Sequence, residues 1–442
     1  MATQTAKQQS RRIIQVEEKV PFLQGIPLSF QHLFAMFGAS VLVPTLFKID
    51  PAIVLLMNGI GTLIYLFLCK GKAPAFLGSS FAFLSPVFVV LGANQALWGG
   101  NYSYALGGFI ASGCVFILVA LVIWRFGSDW IKTVLPPATM GPIVALIGLE
   151  LASVATGMAG IMPDAKTGAY DMNAIIISMV TLATVAFGSL IFRGFLAIIP
   201  VLIGILAGYG ASLGLGVVKF DAMLAAPVLA LPTMYVPMFD VNAVLIIIPA
   251  ALVVISEHIG HLVVTGNIVD RDLIKNPGLH RSLMSDGVST VLSGFMGSVP
   301  TTTYGENIGV MAITRVYSVW VIGGAAVISI ALAFIGKLSA FIQSIPAPVI
   351  GGVSILLFGV IAASGIRMLV EAKVDYSRPI NLILTAITFI VGISGAAVKL
   401  GTVQLKGMAL ATVVGMLLSL TFHLLERLGL LNTETVPEGA DV

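Results

Sequence analysis

Charged residues are scarce in this chain. Lys, Arg, Asp and Glu make up only 10% of its 442 residues, whereas soluble globular domains contain about 25%. Hydrophobic residues make up 58%, and the mean hydropathy of +1.04 is too high for a surface in contact with water. This composition excludes a soluble enzyme, a disordered chain and a nucleic-acid-binding protein. A polytopic α-helical membrane protein is the class that remains.

Cysteine and net charge are also low. The two cysteines, Cys69 and Cys114, lie far apart in apolar runs, so we expect buried apolar side chains rather than a disulfide framework or a metal site. With 23 Lys and Arg against 20 Asp and Glu, the net charge is +3. A balance so close to neutral gives no reason to expect nucleic acid or another polyanion as a partner.

Apolar runs of the length that spans a bilayer, about 20 residues, recur along the chain, and we count fourteen candidates. Those of the first half cover residues 29–47, 52–69, 74–92, 104–124, 133–155, 174–192 and 195–218. Those of the second half cover residues 243–264, 283–297, 300–314, 317–341, 346–366, 380–397 and 407–425. Residues 1–25 are polar and charged, so we expect no cleaved signal peptide and an N-terminal tail on the side of synthesis.

The distribution of basic residues predicts the orientation. With the N-terminus in the cytoplasm and fourteen passes, the inner segments collect 17 of the 23 Lys and Arg residues and the outer segments collect 6. Cytoplasmic loops of membrane proteins carry an excess of Lys and Arg. The count therefore favours fourteen passes with both termini in the cytoplasm.

Two short, interrupted elements indicate an internal duplication. The third element of each half begins near Pro74 and near Val299, and each carries a cluster of small polar residues at 78–81 (Gly-Ser-Ser-Phe) and 301–305 (Thr-Thr-Thr-Tyr-Gly). Because seven is odd, the second repeat would be inserted upside down. Paired interrupted segments in two inverted halves are typical of a transporter whose site lies near the membrane midplane. No residue-level identity joins the halves, so the repeat rests on these elements.

Four acidic residues fall inside the apolar spans, and an ionisable group at membrane depth is by default a functional candidate. They are Glu150, Glu257, Asp286 and Glu306. Glu150 lies near the end of the fifth span, where water or headgroups reach it, and Asp286 lies early in the ninth. For these two residues we favour a structural role.

Glu257 is central in its span, and His261 follows four residues later, on the same helix face. The two side chains can share a proton and avoid burying a full charge. The alternative is a structural pair, but at membrane depth we favour function. His258 faces elsewhere and is predicted to be structural. The order Glu-His-x-x-His also differs from the His-Glu-x-x-His of zinc proteases, which disfavours a metalloprotease.

Glu306 follows Tyr304 and Gly305 in the second interrupted element. Unwound backbone there would leave the Gly305 amide free to donate to a ligand, and the first element would offer the Phe81 amide and a flat apolar ring. Two carboxylates, two free amides and an aromatic face suit a small, planar, neutral ligand with alternating donors and acceptors. Uracil has this pattern, but the pattern does not select one molecule.

These residues also carry a family resemblance. Residues 306–315 (Glu-Asn-Ile-Gly-Val-Met-Ala-Ile-Thr-Arg) fit the signature of the nucleobase–ascorbate transporter family, also called the nucleobase–cation symporter type two family. Residues 33–39, 77–83, 257–261 and 302–307 are similar to it as well. The resemblance extends along nearly the whole chain and is closest to the bacterial members that carry uracil.

The resemblance implies fourteen transmembrane segments in two inverted seven-segment repeats, with short broken strand and half-helix elements in segments three and ten. It also implies a core domain of segments one to four and eight to eleven, and a gate domain of the other six segments. The predicted boundaries are a cytoplasmic tail at 1–25, core at 26–128, gate at 129–240, core at 241–342, gate at 343–426 and a cytoplasmic tail at 427–442.

The same resemblance implies roles for single residues. Glu257 and Glu306 would hydrogen-bond the base, and the backbone amides of Phe81 and Gly305 would donate to its carbonyls. These four residues would form the polar and aromatic contacts of a substrate-binding site between the two broken elements.

Further positions complete the implied site. Ala39 would line the pocket, Tyr304 would support it, and His261 would act with Glu257 in proton coupling. Phe358 departs from the family pattern, because a close member has a gate-domain tyrosine there. Phe358 lacks the hydroxyl group of that tyrosine, so the affinity for the substrate or the gating could differ from that of the family member.

The sequence thus predicts a secondary active transporter that imports uracil across the bacterial inner membrane by proton symport, with alternating access between core and gate. We expect no enzyme activity, no cofactor other than the coupling proton, and no metal. The expected partners are the nucleobase, membrane lipids and a second copy bound through the gate domains. A permease for thymine or xanthine and an uncoupled facilitator remain as alternatives, although the Glu257–His261 pair favours coupling.

Overall fold

The computed structural model describes residues 13–93, 101–163, 168–400 and 403–431, and these residues are mostly helical. Within these described ranges, eight helices are long and apolar enough to cross a membrane: Phe22–Phe47, Pro51–Leu68, Ser103–Phe126, Pro137–Met158, Met172–Ile191, Val241–Val269, Ala347–Glu371 and Gly407–Arg427. The prediction of a polytopic helical membrane protein is confirmed. The count of fourteen segments stays a prediction.

The elements of the described residues divide between the first and the second half of the chain. The first contains α1 (Phe22–Ala35), α2 (Phe37–Phe47), α3 (Pro51–Leu68), β1 (Leu77–Ser79), α4 (Leu84–Phe88), α5 (Ser103–Phe126), α6 (Asp129–Val134), α7 (Pro137–Glu150), α8 (Ala152–Met158), α9 (Met172–Ile191), α10 (Pro200–Gly214) and α11 (Asp221–Ala225). The second contains α12 (Val241–Val269), α13 (Leu279–Met296), β2 (Thr301–Thr303), α14 (Gly305–Thr314), α15 (Val319–Ala333), α16 (Gly336–Gln343), α17 (Ala347–Glu371), α18 (Pro379–Ile393), β3 (Ala397–Leu400), β4 (Val403–Lys406) and α19 (Gly407–Arg427).

Several helices begin at a residue whose side chain accepts a hydrogen bond from the first turn. Asp50, Asp171, Asp240 and Ser318 cap α3, α9, α12 and α15 in this way. Such caps satisfy backbone N–H groups that have no partner within the helix. The caps therefore fix where these apolar helices start, which their hydrophobic runs alone leave undefined.

The two short strands β1 and β2 lie side by side as an antiparallel pair, with Leu77 opposite Thr303 and Ser79 opposite Thr301. We call this pair the β1–β2 crossing. The hydroxyl of Thr62 on α3 accepts a hydrogen bond from the Leu77 amide at 2.9 Å. On the other side, the hydroxyl of Thr290 on α13 accepts one from the Thr301 amide at 3.3 Å. Each strand is thus held by its partner strand and by the helix that precedes it.

The helices form two bundles, each of which draws on both halves of the chain. In the first bundle, α3 packs against α15 and α5 against α13, while α1 packs against α15 and α12 against α5. In the second bundle, α9 packs against α10 and α17, and α18 packs against α19 and α7. Both bundles therefore contain helices from the first and from the second half of the chain.

Glycines bring the central helix pairs of both bundles close together. A methyl group on Gly113 of α5 would lie 2.8 Å from the carbonyl oxygen of Gly287 on α13. In the second bundle, a methyl group on Gly365 of α17 would lie 2.5 Å from the carbonyl oxygen of Gly141 on α7. Small residues permit such close approach of membrane helices.

Three features differ from expectation. Residues 397–400 and 403–406 form the antiparallel strand pair β3–β4 next to the span predicted at 380–397. The span predicted at 317–341 is divided between α15 and α16. Cys69 is buried, but Cys114 is exposed on α5. An apolar run does not reveal which residues face lipid and which face protein, because both environments are apolar.

Residues 13–20 form what we call the N-terminal strap, which lies along the segment that leads into α15. Ile14 exchanges backbone hydrogen bonds with Arg315 and Tyr317, and the Lys19 ammonium lies 4.5 Å from the centre of the Trp320 ring. The strap also reaches Arg271, whose guanidinium donates two hydrogen bonds to the Glu17 carboxylate at 2.5 and 2.8 Å. The strap therefore joins the ends of α12 and α14.

We predict that this strap loosens in acid. The hydrogen bond from Arg271 lowers the pKa of Glu17, so the ion pair stabilises the strap above the ordinary pKa of glutamate and is lost as pH falls through the lowered value. Both side chains are partly exposed, 54% for Glu17 and 35% for Arg271, so the effect is small. Glu17→Gln should speed amide hydrogen exchange in residues 13–20 by at most about fivefold at neutral pH.

The comparison should be made at several pH values, because the wild type should approach Glu17→Gln as the solution is acidified. Glu371→Gln is a matched control, since Glu371 forms an exposed ion pair with Arg367 inside α17. Equal exchange in wild type and Glu17→Gln at neutral pH would show that the ion pair does not hold the strap.

Candidate functional site

The β1–β2 crossing places the starts of two short helices beside it. Phe81 begins a turn of 3₁₀ helix directly after β1, and that turn leads into α4. Gly305 begins α14 directly after β2, and no side chain caps this helix start. The first backbone N–H groups of a helix have no partner within it, so both positions offer amide donors of the kind the sequence predicted.

Three aromatic rings from separate elements meet at this crossing. The ring centre of Phe81 lies 6.1 Å from that of Tyr304 and 6.0 Å from that of Phe358 on α17, which meets it edge to face. All three side chains are nearly buried, with 8%, 4% and 2% exposure respectively. The first bundle thus contacts the second at the Phe81 ring. Ala39 is buried on α2.

The titratable residues predicted for the site lie on α12 and α14. Nδ1 of His261 lies 3.2 Å from Oγ1 of Thr303, and a methyl group on Gly305 would lie 3.2 Å from Nε2 of the same histidine. Glu257 and Glu306 are half-buried. Glu257 lies one helical turn before His261 on α12, and Glu306 follows Gly305 on α14. The structure therefore brings His261, Gly305 and both carboxylates into one region beside β2.

The expected hydrogen bond between Glu257 and His261 is not formed. Within the described residues, the only hydrogen bond of the His261 ring is to Thr303, and the Glu257 carboxylate has none. Two half-buried carboxylates beside free helix amides can accept hydrogen bonds from a neutral N–H donor, while the amides can donate to carbonyls. In the part of the chain that the structure describes, no group of His, Cys, Asp and Glu side chains is arranged to hold a metal ion.

A second polar cluster lies directly behind Thr303. Nδ1 of His258 is 2.8 Å from Oδ2 of Asp286, and both side chains are fully buried. Nε2 of His258 is 2.7 Å from Oγ of Ser282, and Thr302 donates to Asp286 at 3.1 Å. Oγ1 of Thr303 lies 3.4 Å from Nδ1 of His258, so one threonine hydroxyl contacts both histidines.

The sequence predicts separate structural roles for His258 and Asp286 and does not indicate that they form a cluster. The only signal was the presence of a histidine and an aspartate at depth in consecutive spans. To predict that His258 and Asp286 form a pair, one must know how α12 and α13 are rotated about their axes relative to each other. The apolar runs in the sequence do not contain this information. Glu150, the remaining intramembrane acid, lies apart from these residues and contacts α4 and α19 instead.

Comparisons with known proteins support a transporter. A family model described as a permease family matches residues 23–401. A protein named uracil permease from Paenibacillus larvae subsp. larvae is 60% identical over 419 residues, covering 94% of this chain and 98% of the relative. The uracil permease of Escherichia coli strain K12 is 61% identical over 416 residues, covering 94% of this chain and 95% of the relative.

The fold is similar to that of a solved anion transporter. The structure of murine Solute Carrier 26 family member A9 in the inward-facing state matches with a TM-score of 0.71 and covers 93% of this chain and 69% of the transporter. Sequence identity is only 11%, so this likeness concerns the fold alone.

We predict that the crossing depends on the small size of Gly78. A methyl group there would lie 2.5 Å from Cδ2 of Tyr304 and 2.7 Å from Cε of Met36. Gly78→Ala must displace these side chains, so it should destabilise the protein by about 1–3 kcal/mol. Thermal unfolding of the purified protein in detergent measures this loss.

Gly309→Ala on α14 is the matched control, because nothing lies within 4 Å of a methyl group added there. It should leave stability unchanged or raise it by up to about 1 kcal/mol, since alanine favours a helix over glycine. Similar unfolding temperatures for the two variants would contradict the tight packing of β1 on Tyr304.

Proposed function

Because the chain belongs to the nucleobase–ascorbate transporter family, we propose that it carries uracil across a membrane. The observation that carries this proposal is the match, over nearly the full chain, to relatives that are named uracil permeases. The same family membership confirms the prediction of a permease rather than an enzyme.

In the proposed complex, uracil lies between the two half-helix starts. Glu257 and Glu306 accept hydrogen bonds from its N–H groups, and the amides of Phe81 and Gly305 donate to its carbonyls. The Phe81 ring stacks near the planar base. Charge-assisted and correctly paired hydrogen bonds of this kind discriminate strongly against ligands that lack the matching donors.

Two buried residues would bound the base. Ala39 on α2 and Tyr304 at the start of α14 form the walls, and Tyr304 already contacts the Phe81 ring. Phe358 presents a ring edge to Phe81, so the second bundle would close the pocket by an apolar contact without a hydroxyl.

We further propose fourteen segments in two inverted repeats. The matched helix pairs of the two bundles support this arrangement, since α3–α15 corresponds to α13–α5 and α9–α17 corresponds to α18–α7. The antiparallel pairing of β1 with β2 is also the relation that inverted repeats require. On this scheme the core domain comprises 26–128 and 241–342, and the gate domain comprises 129–240 and 343–426.

The proposed mechanism is proton symport with alternating access between core and gate. Glu257 and His261 lie on one face of α12 beside the base and would take up the coupling proton, with no other cofactor. We propose that the protein lies among the lipids of the bacterial inner membrane and pairs as a homodimer through the gate domains. The positive-inside distribution supports an orientation with both termini in the cytoplasm.

Transport of radiolabelled uracil into proteoliposomes tests the proposal. We expect accumulation that depends on an inward proton gradient and is inhibited by unlabelled 5-fluorouracil. A pocket walled by Phe81 and Ala39 should exclude purines by steric clash, so xanthine and adenine should compete at least about tenfold more weakly. Equal competition by xanthine would overturn the pyrimidine assignment, and uptake without a gradient dependence would indicate a facilitator.

We predict that His261→Leu separates exchange from accumulation. The substitution removes the titratable ring that follows Glu257 by one helical turn and contacts Thr303, but it leaves the carboxylates that would bind the base. A gradient drives uptake only if protonation and substrate binding are linked. Uracil counterflow should therefore remain measurable, while proton-driven accumulation falls to near background in the same vesicle preparation.

Glu306→Gln provides the contrasting variant. It removes a charged acceptor for the base, so uracil binding should weaken by roughly one to two orders of magnitude, and counterflow and accumulation should fall together. If His261→Leu loses both activities equally, His261 is structural. If it keeps full accumulation, the proton is carried elsewhere, with Glu306 or Asp286 the next residues to test.

A further inference from the structure

Glu150 joins elements from both bundles. It is the last residue of α7 and is half-buried. Its Oε1 atom accepts a hydrogen bond from Oγ of Ser85 at 2.6 Å, and its Oε2 atom accepts one from the backbone amide of Met408 at 3.2 Å. Ser85 lies on α4, four residues after Phe81, and Met408 lies in the first turn of α19.

The contact with α19 fixes the carboxylate within the second bundle. No side chain at the start of α19 caps that helix, so its free N–H groups and partial positive charge favour a nearby carboxylate. Gly407 has a φ of +56°, and a methyl group there would overlap the Glu150 carboxylate. The backbone of α19 therefore fits closely around Glu150, which acts as the missing cap.

The contact with Ser85 differs because it crosses between the bundles. Some buried serines of this protein donate to a carbonyl one turn earlier in their own helix, as Ser212 does to Gly208 and Ser354 does to Ile350. Ser85 instead donates to a carboxylate on another helix. A short hydrogen bond from a hydroxyl to a carboxylate is among the stronger kinds, and a carboxylate at membrane depth needs such donors.

We propose that the Ser85–Glu150 hydrogen bond is a latch that positions α4, and with it Phe81, against the second bundle, and that it opens whenever the two bundles move apart. Ser85 and Glu150 are thus positioning residues for the aromatic face of the site. This inference rests on the proposed transport by alternating access. It adds a specific bond that must break and form again in each cycle.

Amide hydrogen exchange of the purified full-length protein, without substrate, tests the latch directly. Ser85→Ala should speed exchange in residues 84–88 by about tenfold, while the first turn of α19 keeps its wild-type exchange because Glu150 still caps it. Glu150→Ala should speed exchange at both places. Ser85→Thr, which keeps the hydroxyl, should restore slow exchange in α4.

Ser212→Ala is the matched control, since Ser212 is fully buried and its hydroxyl bonds within its own helix. Amide hydrogen exchange in α4 of the Ser212→Ala variant should equal that of the wild type. If Ser85→Ala behaves like Ser212→Ala, the latch is refuted. If Ser85→Ala lowers the unfolding temperature and speeds exchange throughout both bundles, Ser85 stabilises the whole fold and the latch is likewise refuted.

Transport kinetics give a second readout. If α4 holds Phe81 in place only part of the time, the apparent affinity for the base falls by that fraction. The KM for uracil exchange should then rise about tenfold in Ser85→Ala, with the maximal rate changed less than about threefold. An unchanged KM would overturn the role of the latch at the site. Failure of the wild type to transport uracil would overturn the proposed substrate instead, and the exchange measurement would still decide on the latch.

Discussion

The antiparallel crossing of β1 and β2 is the constraint on which the rest of the structure depends. Backbone that is not helical is tolerated at membrane depth only when its N–H and C=O groups find partners inside the protein. Here the strands satisfy each other, and the hydroxyls of Thr62 and Thr290 bind their outer amides. The crossing therefore requires polar side chains on the two helices that flank it.

This requirement explains the unusual composition of α13. The helix carries a series of buried hydroxyl residues at 282, 285, 289, 290 and 293, together with Asp286. Several of them bond to β2, as Ser289 does to Thr301 and Asp286 does to Thr302. A span that looks weakly apolar in the sequence is thus a helix whose buried polar face supports unwound backbone. The same support holds the two helix starts at which amides remain free.

The sequence predicts the parts of this arrangement that are local. Glycine, proline and small polar clusters mark the two broken elements, and acids at membrane depth mark Glu257 and Glu306. The sequence does not predict how the helices are oriented and placed relative to one another. The His258–Asp286 pair depends on how α12 and α13 are rotated against each other, and the contact of Thr303 with both histidines depends on the position of β2. In a membrane, hydrophobic periodicity does not report rotation, because lipid and protein interior are equally apolar.

The kind of contact also differs within and between the bundles. Within each bundle, glycines bring backbone against backbone, as Gly113 does with Gly287 and Gly141 does with Gly365. Such surfaces interlock over many atoms and resist gradual sliding. Between the bundles, α12 packs against α7 and α19. Two further contacts there are made by single side chains, because Phe81 meets Phe358 by a ring edge and Ser85 meets Glu150 by one hydrogen bond. Contacts made by single side chains can break one at a time. Relative motion is therefore expected at the boundary where Phe81 lies, while the crossing that holds the amides and carboxylates stays intact.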